Sequence, residues 1–214
     1  MDTERGRSPV EARSREELAA LVGSGARVRW LMFWRHRPPE ADGSAGPGVF
    51  SQWCPSPFVV DGQEYATAEH WMMAGKARLF DDARSVERIL AARHPAEAQK
   101  LGRLVRGFDE RRWAAARFEL VVRGNVAKFG QDPALLAYLL GTRDRVLVEA
   151  SPLDRIWGIG LAADDDRAVD PACWPGTNLL GFALMEARAR LAVARAFRRG
   201  VAGGPAPVTA GRSG

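Results

Sequence analysis

The segment Thr67-Ala-Glu-His-Trp-Met-Met-Ala-Gly-Lys76 carries a carboxylic acid and an amine seven residues apart. Its residues predict a helix, with Thr67 supplying a capping hydroxyl and Glu69 in the first turn, where the helix dipole favours negative charge. Seven residues make nearly two turns, so Glu69 and Lys76 share a face, with Met72 and Met73 between them. Helical side chains lean toward the N-terminus, which aims the long Lys76 chain back at the Glu69 carboxylate. One wall then holds an acid/base candidate, an amine and apolar, polarisable surface; the same pair also reads as a surface ion pair. His70 points about 100° away and reads as a packed or hydrogen-bonded histidine. A second cluster lies in Ser151-Pro-Leu-Asp-Arg-Ile-Trp-Gly-Ile-Gly160. There Asp154 and Trp157 offer a carboxylate and a flat ring beside glycines whose backbone can approach a ligand closely. Equally, Asp154-Arg155 reads as a turn and Trp157 as a core side chain. Lys100, Arg103 and Arg106 recur at i,i+3, a face fitted to phosphate or simply to water.

The elements that must position these groups form a mainly helical α+β domain. A short helix begins after Ser14, with Ser14 and Glu17 in capping-box spacing, and stops at Gly23. Strand character runs over 27–34, and 36–48 is a Pro/Gly loop. Two short strands flank Asp61-Gly62, the dipeptide of a type I′ hairpin, and lead into the Thr67 helix. Helices follow at 83–93, 95–105, 110–129 and 133–140, with Pro95 and Pro133 at first-turn positions. A strand is predicted over 145–149, then an irregular loop over 150–176 whose length suggests a task. The last helix covers 178–198, capped by Thr177 or Asn178. Residues 1–26 read as a mostly disordered extension carrying the short helix, with 1–13 a loose tail. The domain spans 27–199, and 200–214 reads as a disordered tail rich in Gly, Pro, Ala and Ser.

At 214 residues and 46% hydrophobic, the chain can build one core of ordinary size. No stretch is apolar enough to span a bilayer, and the charged first twenty residues lack a signal-peptide core. With only Cys54 and Cys173, the reading is a reduced, cytoplasmic protein. Three scattered histidines have no metal-ligand spacing, so no metal is expected. The run Asp164-Asp-Asp166 reads as a solvated loop. Gly158-Ile-Gly-Leu-Ala-Ala163 mimics a dinucleotide fingerprint but lacks its strand–turn–helix setting, so no nucleotide cofactor is expected. The net charge of +5 suits an anionic partner bearing phosphate, a small molecule or nucleic acid. Of 31 basic residues only Lys76, Lys100 and Lys128 are lysine. A lysine retained against that bias marks a place where an amine is wanted.

Several ordered blocks resemble the NADAR family of YbiA-like N-glycosidases. They are Phe50-Ser-Gln-Trp53 with Pro57-Phe58, Asp61-Gly-x-x-Tyr-x-Thr-x-Glu-His70 with Lys76-Ala77, Gly102-Arg103, Trp113 and Ala127-Lys-Phe129. Leu147-x-Glu149, Asp154-x-x-Trp-Gly-x-Gly160 and Gly176-x-Asn-x-Leu-Gly181 with Leu184-Met185 and Arg188 complete the series. Ile159 departs from the aspartate that a short family member has after Trp-Gly. The resemblance covers about residues 28–197. It implies an enzyme, a hydrolase that cleaves an N-glycosidic bond between a ribose phosphate unit and a base-like amine without a cofactor. Substrates of that kind are phosphoribosylamino-pyrimidine intermediates of riboflavin synthesis; the alternatives are ADP-ribose attached to guanine in nucleic acid, or a non-catalytic ADP-ribose or NAD module. By the same resemblance Glu69 is the acid/base carboxylate and Asp154, with Trp157, lines the ribose and base pocket. Trp113 stacks on the base, Asn178 binds sugar or phosphate, and Lys76, or else Lys128, attacks the opened sugar. Trp53, His70, Arg103 and Gly158 complete the expected substrate contacts. A departing base leaves a cationic C1 that a nearby carboxylate stabilises, and a desolvated lysine can capture an opened sugar as a Schiff base.

Overall fold

A computed structural model describes residues 8–36 and 45–202, with the side chains of 199–202 excepted. Helices dominate: α1 Arg15–Gly23, α2 Ala68–Leu79, α3 Ala83–Leu90, α4 Pro95–Gly102, α5 Glu110–Gln131, α6 Pro133–Gly141 and α7 Leu179–Ala202. Four short strands accompany them, β1 Arg29–Phe33, β2 Phe58–Val60, β3 Gln63–Tyr65 and β4 Arg145–Glu149. β2 and β3 form the expected hairpin, and Asp61 and Gly62 both take positive φ, as a type I′ turn requires.

β1 and β4 pair in parallel, from Arg29 opposite Arg145 to Phe33 opposite Glu149. A parallel pair needs a crossover, and here the chain supplies α2 to α6 between the two strands. Val146, Leu147 and Val148 are completely buried, because α7 covers β4. The core continues through Phe50, whose ring lies 5.4 Å from Phe33, 5.9 Å from Phe129 and 5.3 Å from Tyr138. Each such ring contributes roughly 1.5–3 kcal/mol by leaving water.

α2 is the buried hub, with α3, α4 and α5 packed around it. Its N-cap is Thr67, which accepts from the His70 backbone N–H. Buried residues lie all round it, as expected of a helix inside a domain rather than on its surface. Gly102 lets α4 come close, since a Cβ there would meet Met73 Sδ at 2.1 Å. The Trp71 ring N–H donates to the Leu120 carbonyl of α5 at 2.7 Å.

Three expectations change. Residues 8–13, read as part of a loose tail, form a 3₁₀ turn over Pro9–Glu11, fully bury Ala12 and pair Arg13 with Glu186. Pro at the first helical position and the Ser8–Glu11 capping box favour that turn, and α1 then docks through Leu18 and an Arg15 bond to the Trp174 carbonyl. Residues 1–7 and 203–214, expected to be disordered, lie outside the described residues, as do 37–44 of the expected loop; α7 itself continues to Ala202. Finally, neither Thr177 nor Asn178 caps α7 with its side chain. The Leu179 and Leu180 N–H groups donate instead to the Ile156 and Trp157 carbonyls. The 150–178 loop is thereby laced to the helix start, and Trp174 anchors it with its ring N–H on the Ala168 carbonyl. No helix of the described residues is long and apolar enough to cross a membrane.

Candidate active site

The C-terminal ends of the two parallel strands open onto one cleft with two compartments. The inner, about 300 Å³, is lined by Gln52, Glu69, Met72, Met73, Lys76 and Trp157 among others. The outer, about 610 Å³, adds Trp34, Arg35 and His36 from the end of β1. Ser51, Trp53, Gln99, Arg103, Glu149 and Asp154 border both.

Besides the end of β1, four segments build it. The turn after Phe50 brings Ser51 to Trp53, and is held from behind by Lys128, whose ammonium donates to the Val49 and Ser51 carbonyls at 2.7 and 3.0 Å. The first turns of α2 supply Glu69, whose backbone N–H donates to the Gln52 carbonyl at 2.9 Å. The end of α4 supplies Gln99 and Arg103, joined by a 3.0 Å bond from the guanidinium to the amide oxygen. The end of β4 supplies Glu149 and, after a short excursion, Asp154. One Asp154 oxygen accepts from the Ile156 and Trp157 backbone N–H groups at 2.8 and 2.7 Å. That turn holds both Asp154 and the half-buried Trp157 at the cleft, so the two readings of this loop are true together.

The electrostatics centre on three acids. Burial pushes Glu69 up to about 8, and Asp154 adds to the rise; a hydrogen bond from Trp53, the attraction of Arg103 and a bond from Gln99 oppose it. Burial also pushes Glu149 up to about 8, helped by the charges of Asp154 and Glu69. Taking a carboxylate out of water disfavours its charged form, and crowding acids together does the same. The buried side-chain polar atoms without a partner among the described residues are Gln52 Oε1, Glu69 Oε1 and Glu149 Oε2, and all three residues line the inner compartment. An unmet buried polar atom costs about 1–3 kcal/mol, which a bound ligand can recover.

Of the expected site residues, Glu69, Lys76, Asp154, Trp53, Arg103 and Trp157 line the cleft together. The expected reach of Lys76 toward Glu69 does not occur: among the described residues no ion pair joins them. The Lys76 amine sits 4.1 Å from the Phe108 ring centre and 5.6 Å from that of Trp113, where the negative ring faces hold it. Burial lowers its pKa, Glu110 opposes the fall and Arg103 adds to it. Trp113 is thus buried behind Lys76 instead of lining the cleft. His70 is committed too, with Nδ1 on Thr67 Oγ1 at 2.8 Å and Nε2 on the Ala92 carbonyl at 3.1 Å. Lys128 is 1% exposed and behind the lining. Asn178, in a left-handed conformation at φ 54°, donates to the Leu147 carbonyl and accepts from the Glu149 N–H, clasping the end of β4. Gly158 accepts from the Asn178 N–H in the same clasp. Glu149, Gln52 and Gln99 were given no role from sequence. The signals for Glu149 were its place in the Leu147-x-Glu149 block of the family resemblance and a carboxylate closing an apolar strand, Val146-Leu-Val148.

The NADAR domain family profile matches residues 32–192. The chain belongs to the NADAR domain family. It is 43% identical over 149 residues to an N-glycosidase of Acanthamoeba polyphaga mimivirus, covering 67% of this chain and 88% of that one. N-glycosidase YbiA of Escherichia coli is 32% identical over 146 residues, 68% of this chain and 82% of the relative. The riboflavin biosynthesis protein PYRR of Zea mays chloroplasts is 31% identical over 156 residues, 67% of this chain but only 23% of that longer protein. The NMR structure of Escherichia coli YbiA superposes with a TM-score of 0.60 at 28% identity, covering 79% of this chain and 90% of the other. Every cleft residue named above falls inside the matched NADAR segment, whereas α1 and the 3₁₀ turn before it lie outside.

Proposed function

We propose that the protein is an N-glycosidase that hydrolyses the bond between C1 of a ribose phosphate unit and the nitrogen of a base-like amine. The buried Glu69–Glu149 pair, with unpartnered oxygens facing one small compartment beside Asp154, carries this reading. The names of the mimivirus and Escherichia coli relatives support it. As the C1–N bond breaks, the nitrogen takes a proton from a carboxyl of the pair, and the electron-poor C1 faces the Asp154 carboxylate. Water adds to C1 and returns its proton to a carboxylate. The step is a heterolysis with no net oxidation or reduction and needs no redox cofactor. Where the sugar opens, the Lys76 amine, brought toward its neutral form by burial, can instead add to C1 and expel the base-like amine, leaving a Schiff base that water hydrolyses to the free sugar phosphate and the lysine amine. Arg103 at the junction of the compartments suits the phosphate, and Trp53 and Trp157 offer flat faces to the base.

The favoured substrate is a phosphoribosylamino-pyrimidine of the riboflavin pathway, a reading supported by the similarity to PYRR. A second reading, release of ADP-ribose from guanine in nucleic acid, is favoured by the outer compartment, where Trp34, Arg35 and His36 add a ring and a cation beyond the needs of one ribose phosphate. The test is to incubate the protein with 5-amino-6-(5-phosphoribosylamino)uracil and, in parallel, with a guanine-ADP-ribosylated oligonucleotide, read by mass spectrometry. Ribose phosphate from the first, lost in Glu69→Gln, supports metabolite cleavage; ADP-ribose from the second supports the alternative. Inertness toward both, with ADP-ribose still bound, would leave a binding module.

A further inference from the structure

The two buried glutamates face the same compartment, but their surroundings divide the work between them. Glu69 begins a helix, at the positive end of its dipole, and donors are aimed at it: the Trp53 ring N–H and the Gln99 amide, with Arg103 close by. Each of these favours the charged carboxylate. Glu149 ends a strand, and among the described residues no donor reaches its carboxyl, while the neighbours that act on it electrostatically are the acids Asp154 and Glu69. Two crowded carboxyls share out their charge, and the first negative charge settles where the donors are.

We infer that Glu149 holds the proton and is the general acid toward the departing nitrogen, with Glu69 the ionised partner that stabilises C1 and takes the proton from water. This assignment rests on the N-glycosidase reading. Glu149 is the better placed of the two, since it borders both compartments while Glu69 borders only the inner. Its backbone is fixed on both sides: the N–H donates to Asn178 Oδ1, and the carbonyl accepts from the Ser151 and Ile159 N–H groups, each at 2.9 Å. The proton passes from the Glu149 carboxyl to the nitrogen as the C1–N bond breaks. The water that adds at C1 gives its proton to Glu69, and exchange between the acids restores the starting state. Environments that push two acids apart mark which is acid and which is base. The charged groups facing Glu149 across the cleft are Glu69 and Lys76 from α2, Arg103 from the end of α4, Arg35 beyond β1 and Asp154 from its own loop.

The test is steady-state kinetics of wild type, Glu149→Gln and Glu69→Gln from pH 5 to 9.5 on whichever of the two substrates above is cleaved. Glu149→Gln should lower kcat by about 10²–10⁴ and leave KM within about threefold. It should also abolish the decline in rate at high pH. Glu69→Gln should also be slow but should keep that decline, moved to lower pH, because a negative neighbour of Glu149 is gone. Wild-type kcat in Glu149→Gln, or loss of the decline in Glu69→Gln instead, would overturn the assignment. Carbon-13 NMR of carboxyl-labelled glutamate reads the proton without turnover: the signal missing in Glu149→Gln should titrate on the alkaline side of neutrality. A Glu149 signal already ionised at pH 6 would overturn the proposal whatever the activity. A signal that titrates as expected in a protein inert to both substrates would locate the failure in the substrate reading and remove the acid's role with it.

Discussion

Glu69 lies in the first turn of α2 and Asp82 at the start of the next helix, α3, and each has 2% of its surface exposed. Asp82 caps α3 and is saturated with donors. It accepts the Arg106 backbone N–H at 3.0 Å, the Ser85 hydroxyl at 2.7 Å, the Arg106 guanidinium at 3.2 Å and the Ser85 N–H at 3.3 Å. Those bonds, the Arg106 backbone N–H first, hold its carboxyl far below the usual range. Glu69 keeps one oxygen unmet, and burial drives it the other way. A carboxylate that serves the fold has its lone pairs filled by the fold. One left partly empty at the wall of a cleft is held ready for something that is not part of the chain.

That contrast can be broken most severely by activity. Glu69→Gln should lower kcat by about 10²–10⁴ with little change in KM, whereas Asp82→Asn should leave kcat at the wild-type value and lower Tm by several degrees. Equal losses from both would remove the distinction. Stability against pH sharpens it. The Glu69–Glu149 pair keeps a proton in the folded protein, held on Glu149, so the contribution of that group is full below the ordinary value of 4.5 and is lost as pH rises through about 8. At pH 9, Glu149→Gln should therefore be more stable than wild type, by on the order of a few kcal/mol, and the gain should vanish near pH 4. Asp82 has the opposite sign: its contribution is present above the ordinary value of 3.8 and fades as pH falls. Asp82→Asn should accordingly converge on wild type in acid denaturation.

The lysines repeat the contrast on a smaller scale. Lys128→Met leaves two carbonyls unmet and should cost about 1–3 kcal/mol in urea unfolding. Lys76→Met should leave Tm nearly unchanged yet abolish any borohydride-trapped sugar adduct seen by mass spectrometry; an adduct surviving in it would move the nucleophile elsewhere. The smallest effect belongs to Arg103→Ala, where loss of a phosphate contact should raise KM about tenfold, or roughly 1.4 kcal/mol, without changing the pH profile.

Local features were legible in the sequence alone. The Asp61-Gly62 turn, the Thr67 cap, the 145–149 strand and the shared wall of Glu69, Met72, Met73 and Lys76 each depend on residues within a few positions of one another. Even the residues that proved to serve the fold, Asn178 and Lys128, were marked by type, though their task was not. Lys128 was retained as an amine, and only its placement under the Val49–Ser51 turn shows that the amine ties backbone carbonyls. The Lys76 chain was aimed correctly along its helix face, but Phe108 and Trp113 arrive from a different part of the chain and draw it away.

By itself, the sequence determined the helical α+β class, the element order, the family resemblance and the residue types available for chemistry, because periodicity, caps and turns act over short separations. Tertiary structure alone decided that β1 meets β4 in parallel, that Glu149 faces Glu69 across a cleft, and which acids lack partners. Desolvation and charge crowding are properties of what surrounds a group in space. For Glu69 and Glu149 those surroundings come from segments that lie 80 residues apart along the chain.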